Sequence, residues 1–415
     1  MIAKRPTTGP SAGGMDRTLF GVFVFLLMLG MVMVYSANLP LPSANASEVF
    51  WKQMRGHPLH VAIGLCVFAV MLRVPVKTLQ RLSGVLFGVG ISLLLVVAVL
   101  KLVWGSALLK DGAVRAIPLG PLTLQPSELM KVFALLFAAA YATRRQDRIQ
   151  ELVKGLAPIG SLMVVVIGLL LYQPDLGSTI VITTTVAAVL FLGGMNLRVI
   201  LLLVVLMATV FGLMVWLTPW RLGRLVSYLS PCDPTHVANT GYQLCGALIA
   251  FGHGGLFGSG LGTGIAKMGH LPLPHTDFIF AVIGEELGFV GVAGLLITFG
   301  FLIRRAIQIG RQAMSQDRLF AGLVAQGIGV WIGLQTFIHA GVNTGLLPTK
   351  GLTLPFISHG GSSMLVVCMA MGILMRIDRE NRSEARGVTQ DLNTKSLPEP
   401  AVGLRPRGWA RRELA

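Results

Sequence analysis

Asp277 ends a polar stretch, Leu271-Pro-Leu-Pro-His-Thr, and begins an apolar one, Phe-Ile-Phe-Ala-Val-Ile-Gly, that runs on to Glu285 and Glu286. A carboxylate at such a boundary is partly desolvated, which raises its proton affinity toward that of a general base. The same position is where a helix commonly takes an Asp as its N-cap, and the local residues do not choose between the two roles. Glu285 and Glu286 lie about two turns deeper, where charge is expensive and is either functional or paired. A lysine partner and a bound substrate satisfy that requirement equally.

Three further segments carry chemistry. Leu346-Leu-Pro-Thr-Lys350-Gly-Leu-Thr-Leu-Pro355 and the following Ser-His-Gly-Gly-Ser-Ser363 form an irregular re-entry into an apolar run, a backbone that membranes tolerate where it lines a cavity. Lys350 is the lone cation of that segment and suits a phosphate or pyrophosphate; interfacial snorkelling is its plainer explanation. In Gly112-Ala-Val-Arg115 and Gln125-Pro-Ser-Glu128-Leu-Met-Lys131, Glu128 and Lys131 share one helix face, as an intrahelical pair or as the wall of a polar cavity. Gln173-Pro-Asp175-Leu-Gly-Ser178 reads as a tight turn with Asp175 capping the next helix. The run Gly258-Ser-Gly-Leu-Gly-Thr-Gly264 looks like a dinucleotide loop, but no strand precedes it. No metal-ligand spacing joins Cys66, Cys232, Cys245 and Cys368; the middle pair could bridge in an extracytoplasmic loop.

The elements that must position these residues are membrane helices. Of the 415 residues 53% are hydrophobic and only 13% charged, about half the charge of a soluble domain. The net charge of +16 is carried between apolar runs rather than among aromatics on polar segments, which excludes a nucleic-acid surface. Apolar runs long enough to approach a bilayer crossing fall at 19–35, 60–72, 84–103, 128–141, 156–172, 179–192, 199–217, 278–303, 320–343 and 356–374. The predicted fold class is therefore an all-α, polytopic bundle of about ten transmembrane helices over 18–376. It leaves a large loop at 218–276 and tails at 1–17 and 377–415, the last read as disordered from Asn381. Lys and Arg concentrate on one parity of connections, for example Arg73, Lys77 and Arg81, then Arg304, Arg305 and Arg311. The positive-inside rule places those, and both termini, in the cytoplasm. Arg115, Asp175, Asp277 and Lys350 then share the outer side.

On the His275-Thr-Asp-Phe-Ile-Phe block with Gly284-Glu-Glu-Leu-Gly, the Gln-Pro-Ser-Glu and Gln-Pro-Asp-Leu-Gly blocks, and Gly241-Tyr-Gln243, the chain resembles the SEDS family of shape, elongation, division and sporulation proteins. The likeness covers roughly 16–379, and the Pro-Thr-Lys350-Gly-Leu-Thr-Leu-Pro segment is of the division type. The resemblance implies a glycosyltransferase that polymerises lipid II into peptidoglycan glycan strands at the septum of the inner membrane, releasing undecaprenyl pyrophosphate. It makes Asp277 the catalytic base and Lys350, Arg115 and Lys131 the cations facing the leaving group, with Glu128, Asp175, Gln243 and Glu286 at the substrate cavity. It also implies a divalent cation, Mg or Mn, with no assigned protein ligands. The implied partners are a class B penicillin-binding protein transpeptidase (FtsI-like), other division membrane proteins, the nascent strand and membrane lipid, with no nucleic acid. The chain departs from the family pattern at Ala116, where Trp is usual, at Leu273 for Glu, at His339 for Asn and at His359 for Tyr. Two rival functions remain: a lipid II transporter whose path is lined by Glu128, Lys131, Glu285 and Glu286, and a division scaffold without chemistry.

Overall fold

Asp16 begins the bundle by capping its first helix, its carboxylate accepting from the amides of Thr18 and Leu19. The computed structural model describes residues 15–39, 46–104, 115–119, 122–151, 155–216, 223, 228–237, 241–268, 271–348 and 351–395. The long helices are α1 (Arg17–Ala37), α2 (Ala46–Met71), α3 (Val76–Trp104), α4 (Pro126–Arg144), α5 (Ala157–Tyr172), α6 (Leu176–Leu192) and α7 (Leu197–Trp216). Two short helices follow, α8 (Pro234–Val237) and α9 (Tyr242–Gly254), then α10 (Ile279–Met314), α11 (Leu319–Asn343) and α12 (Gly361–Lys395). Apart from α8 and α9, each of these lies over one of the ten apolar runs. By length and composition alone, five are sufficient to cross a membrane, among them α1, α3 and α11. The strands among the described residues are β1 (Ile117–Leu119) and β2 (Leu122–Leu124), an antiparallel hairpin that pairs Ile117 with Leu124 just before α4.

Exposed Val85, Val89, Val96, Val99, Leu102 and Val103 along α3, and Leu201, Leu202, Val204 and Val205 along α7, form apolar faces with no protein cover, as lipid contact requires. α11 is instead buried nearly throughout, with Leu323, Val324, Ala325, Ile328, Trp331 and Ile332 inaccessible. It approaches α10 closely because Gly310 and Gly322 face each other: a Cβ at Gly310 would lie 2.7 Å from the Gly322 carbonyl oxygen. Small residues at crossings let helix backbones approach where no hydrophobic drive exists in lipid.

α10 is broken at Gly288, which adopts φ +67°, a region that costs L-residues a clash at Cβ. The break strips carbonyls and amides of helical partners, and the glycine-rich run replaces them. Ser259 and Gly260 amides donate to the Glu285 and Glu286 carbonyls, while the Phe289 and Val290 amides donate back to Gly255 and Leu256. Backbone at membrane depth must be satisfied this way. The run that resembles a nucleotide loop is thus a patch on a broken helix.

One feature departs from the sequence reading and another answers a question it left open. The tail expected to be disordered from Asn381 continues α12 as far as Lys395. Asn381 is buried, donating to the Ile309 carbonyl and accepting from Arg318, while the pairs Arg376–Glu380 and Arg382–Asp378 run along the helix at i,i+4 spacing. The stretch meets the α10–α11 turn through Arg318, which pairs with Glu380 and Glu384; residues beyond 395 lie outside those described. In the connection between α7 and α10, Cys232 and Cys245 form a disulfide across 13 residues. Cross-linking a loop of that length removes about 3 kcal/mol of unfolded-chain entropy. Cys232→Ser is therefore expected to speed proteolytic cleavage within 228–245 severalfold while the helices stay resistant, and equal cleavage rates would contradict this.

Candidate functional site

Asp277 does not cap α10. The cap position is Phe278, with no side-chain hydrogen bond, so the structural role that competed with catalysis is absent. Its backbone is pinned instead: Asn343 Nδ2 donates to the Asp277 carbonyl at 3.0 Å, and Asn343 Oδ1 accepts from the Ala281 amide at 3.2 Å. Burial pushes the carboxyl up to about 6, with the positive charge of Arg115 acting in the opposite sense. A proton acceptor in that range is matched to chemistry near neutral pH.

Arg115 leads into the β1–β2 hairpin. It is exposed, with its guanidinium donating to the Pro174 carbonyl at 3.2 Å. The re-entrant segment comes in from the other side. A Cβ placed on Gly351 would stand 3.2 Å from Asp277 Oδ2, so the backbone next to Lys350 passes directly against the carboxylate. Lys350 itself lies outside the described residues. Segment 351–359 is stitched to the Asp277 loop: Ser358 Oγ donates to the Thr276 carbonyl at 2.8 Å, and the His359 amide to that of His275 at 2.9 Å. Phe356, at φ +65°, is strained in a way that only surrounding contacts sustain.

The other named residues separate from this group. Asp175 caps α6, accepting from the Ser178 amide at 3.1 Å and from Ser127 Oγ at 2.7 Å. Glu128 and Lys131 are buried against each other at 2.7 Å, and Lys131 also donates to Gln335. A cation enclosed in that way is not open to a diphosphate. Glu286 pairs with Lys267 at 2.6 Å and meets Ser36 Oγ, while Glu285 accepts from the amides of Ile265 and Ala266. Gln243 is exposed on α9. Asp277, Arg115 and Gly351 are therefore brought together; Glu128, Lys131, Asp175 and Glu286 serve as structural partners.

Motif reading missed a row on α11. Gln335, His339 and Asn343 recur every fourth residue and so share a face, which is a detectable signal in an otherwise apolar helix. Gln335 Nε2 donates to the Thr353 carbonyl at 2.8 Å, His339 Nδ1 lies 2.7 Å from the Leu352 carbonyl, and Asn343 holds Asp277. His339 and His359 depart from the family's usual residues, and both are integrated: the His359 ring packs among those of His57, His60 and His275 at 5.3–5.6 Å between centroids. Burial holds the His275 imidazole below its usual range. Among the described residues no group of three or more His, Cys, Asp or Glu is placed to hold a metal ion.

A family model for FtsW, RodA and SpoVE proteins, described as cell cycle protein, matches residues 16–383. The chain is 43% identical over 374 residues to the probable peptidoglycan glycosyltransferase FtsW of Burkholderia thailandensis, covering 90% of this chain and 80% of that one. It is 44% identical over 358 residues to the protein of the same description from Coxiella burnetii, covering 86% and 94%. Among solved structures, one described as "Structural coordination of polymerization and crosslinking by a peptidoglycan synthase complex" superposes with TM-score 0.70 at 28% identity, covering 89% of this chain and 98% of that one. The rod shape determining protein RodA of Thermus thermophilus superposes with TM-score 0.63 at 29% identity, covering 90% and 99%.

Proposed function

The chain belongs to the FtsW, RodA and SpoVE family of cell cycle proteins, and we propose that Asp277 is the general base with which it extends glycan strands. It is a multi-pass membrane peptidoglycan glycosyltransferase of the cell-division type. In the proposed reaction Asp277 takes the proton of the acceptor sugar's 4-hydroxyl, whose oxygen attacks the anomeric carbon of the lipid-linked donor. The bond from that carbon to the diphosphate breaks, and undecaprenyl pyrophosphate leaves with the electron pair. Arg115, and Lys350 next to Gly351, supply positive charge where it develops. A divalent cation bound with the substrate's diphosphate would add positive charge there.

What supports this reading is one observation: the Asp277 carboxylate is uncapped and part-buried, beside the segment that carries Lys350. The disulfide in the preceding loop supports an outer location for that face. An outer location for that face puts both termini in the cytoplasm; the likeness to FtsW proteins and to the peptidoglycan synthase complex supports work at the septum of the inner membrane with a class B penicillin-binding protein as partner. The transporter reading loses its sequence support, since Glu128, Lys131 and Glu286 are enclosed in pairs.

Purified protein with that partner is expected to turn lipid II into polymer on a gel. Asp277 must be deprotonated to act, so kcat is expected to rise with pH through a midpoint near 6, the value burial gives the carboxyl, and to fall roughly tenfold for each pH unit below. A flat profile between pH 5 and 7 would remove Asp277 from the role of base. Movement of lipid II across vesicles without polymer would restore the transporter.

A further inference from the structure

We propose that Gln335 and His339 are positioning residues, setting the approach of the Gly351–Thr353 backbone to Asp277 from the buried Glu128–Lys131 pair. The proposal rests on Asp277 being the base, and it assigns a task to the intramembrane charges that substrate contact does not explain.

The chain of contacts is continuous. Glu128 Oε1 holds Lys131 Nζ at 2.7 Å, and Lys131 donates to Gln335 Oε1 at 3.2 Å. The same oxygen accepts from Trp331 Nε1 at 2.8 Å. With its oxygen held by two donors, the Gln335 amide has a set orientation, and its NH2 points at the re-entrant segment, donating to the Thr353 carbonyl at 2.8 Å. One turn along α11, His339 Nδ1 meets the adjacent carbonyl, Leu352, at 2.7 Å; as that partner only accepts, the imidazole carries its proton on Nδ1. One turn further, Asn343 fixes Asp277 itself. One rigid helix therefore holds both sides of the site, the base and the segment that faces it. Thr353 Oγ1 adds a contact of 2.7 Å to Ser363 at the start of α12. The segment needs such support, because it is irregular from Gly351 to Ser358 and contains Phe356 at φ +65°. All three side chains of the α11 row are buried, so none is offered to solvent or to a substrate from outside.

The test uses the full chain with its transpeptidase partner. Gln335→Met removes the whole relay at similar size. Gln335→Glu keeps the acceptor for Lys131 and Trp331 but loses the donor to Thr353. His339→Leu removes the second carbonyl contact, and His339→Asn restores a donor. In Gln335→Met, Gln335→Glu and His339→Leu, kcat is expected to fall about tenfold or more with the KM for lipid II within about twofold. The pH midpoint should move down as Asp277 becomes wetter, and amide hydrogen exchange in 351–358 should accelerate at least about tenfold. His339→Asn should recover most of each change. A general loss of folding would instead accelerate exchange across α10 and α11 together and leave the midpoint of surviving activity in place, which overturns the proposal. So would a rise in KM alone, the mark of a residue that touches substrate. Hydrogen exchange separates this proposal from its premise: if Asp277→Asn remains active the base assignment fails, while the response of 351–358 still reports whether α11 positions that segment.

Discussion

Asp277→Asn is expected to reduce lipid II polymerisation by at least about a hundredfold, toward the about 10²–10⁴ that a positioned general base contributes. The substitution is close to isosteric and leaves the contacts that hold this loop untouched. Asn343 bonds the backbone carbonyl of residue 277, and Ser358 and the His359 amide bond those of 276 and 275. The side chain caps no helix, so its loss removes no orphaned amide's partner. The protein should therefore keep its monodispersity and thermal midpoint in detergent within a degree or two, and retain its partner. An inactive variant that also unfolds would point back to a structural role. A folded variant that polymerises at the wild-type rate would remove Asp277 from the role of base.

Lys267→Met should be the most destabilising single change in the outer half of the bundle. Lys267 and Glu286 have no accessible side-chain surface, and their charged atoms are 2.6 Å apart, with Ser36 Oγ bonded to both. Removing the cation leaves a buried carboxylate without its counter-charge, at a cost of about 3–5 kcal/mol. The loss should appear as a fall of many degrees in the thermal midpoint and as protease access to the 255–268 loop. The double change Lys267→Met with Glu286→Gln removes both charges, and most of the stability should return. That recovery distinguishes an ion pair from a simple packing defect, since a defect would add rather than cancel. A single mutant with an unchanged midpoint would show that the pair is dispensable. Polymerisation in the double mutant is expected to persist, because neither group reaches the Asp277 loop.

Residue types and spacing alone determined that the chain is a membrane bundle and where its helices run. Length and apolarity of a run are local properties, and the bilayer reads them locally. The segments holding Asp277 and Arg115 likewise marked two groups that the fold brings within electrostatic reach of each other. Tertiary structure alone decided which charged residues are available. Glu286 finds Ser36 at a separation of 250 residues, Gln335 finds Lys131 at 204, and Asn343 finds Asp277 at 66. No local pattern encodes such distances, so Lys131 and Glu286 looked as fit for substrate as Asp277 did. The C-terminal stretch shows the same limit: its composition read as disordered, while Asn381 finds Arg318 and the Ile309 carbonyl at separations of 63 and 72 residues. A buried charge in lipid must be paired, and whether its partner is protein or substrate is settled only by what the fold brings within hydrogen-bond reach.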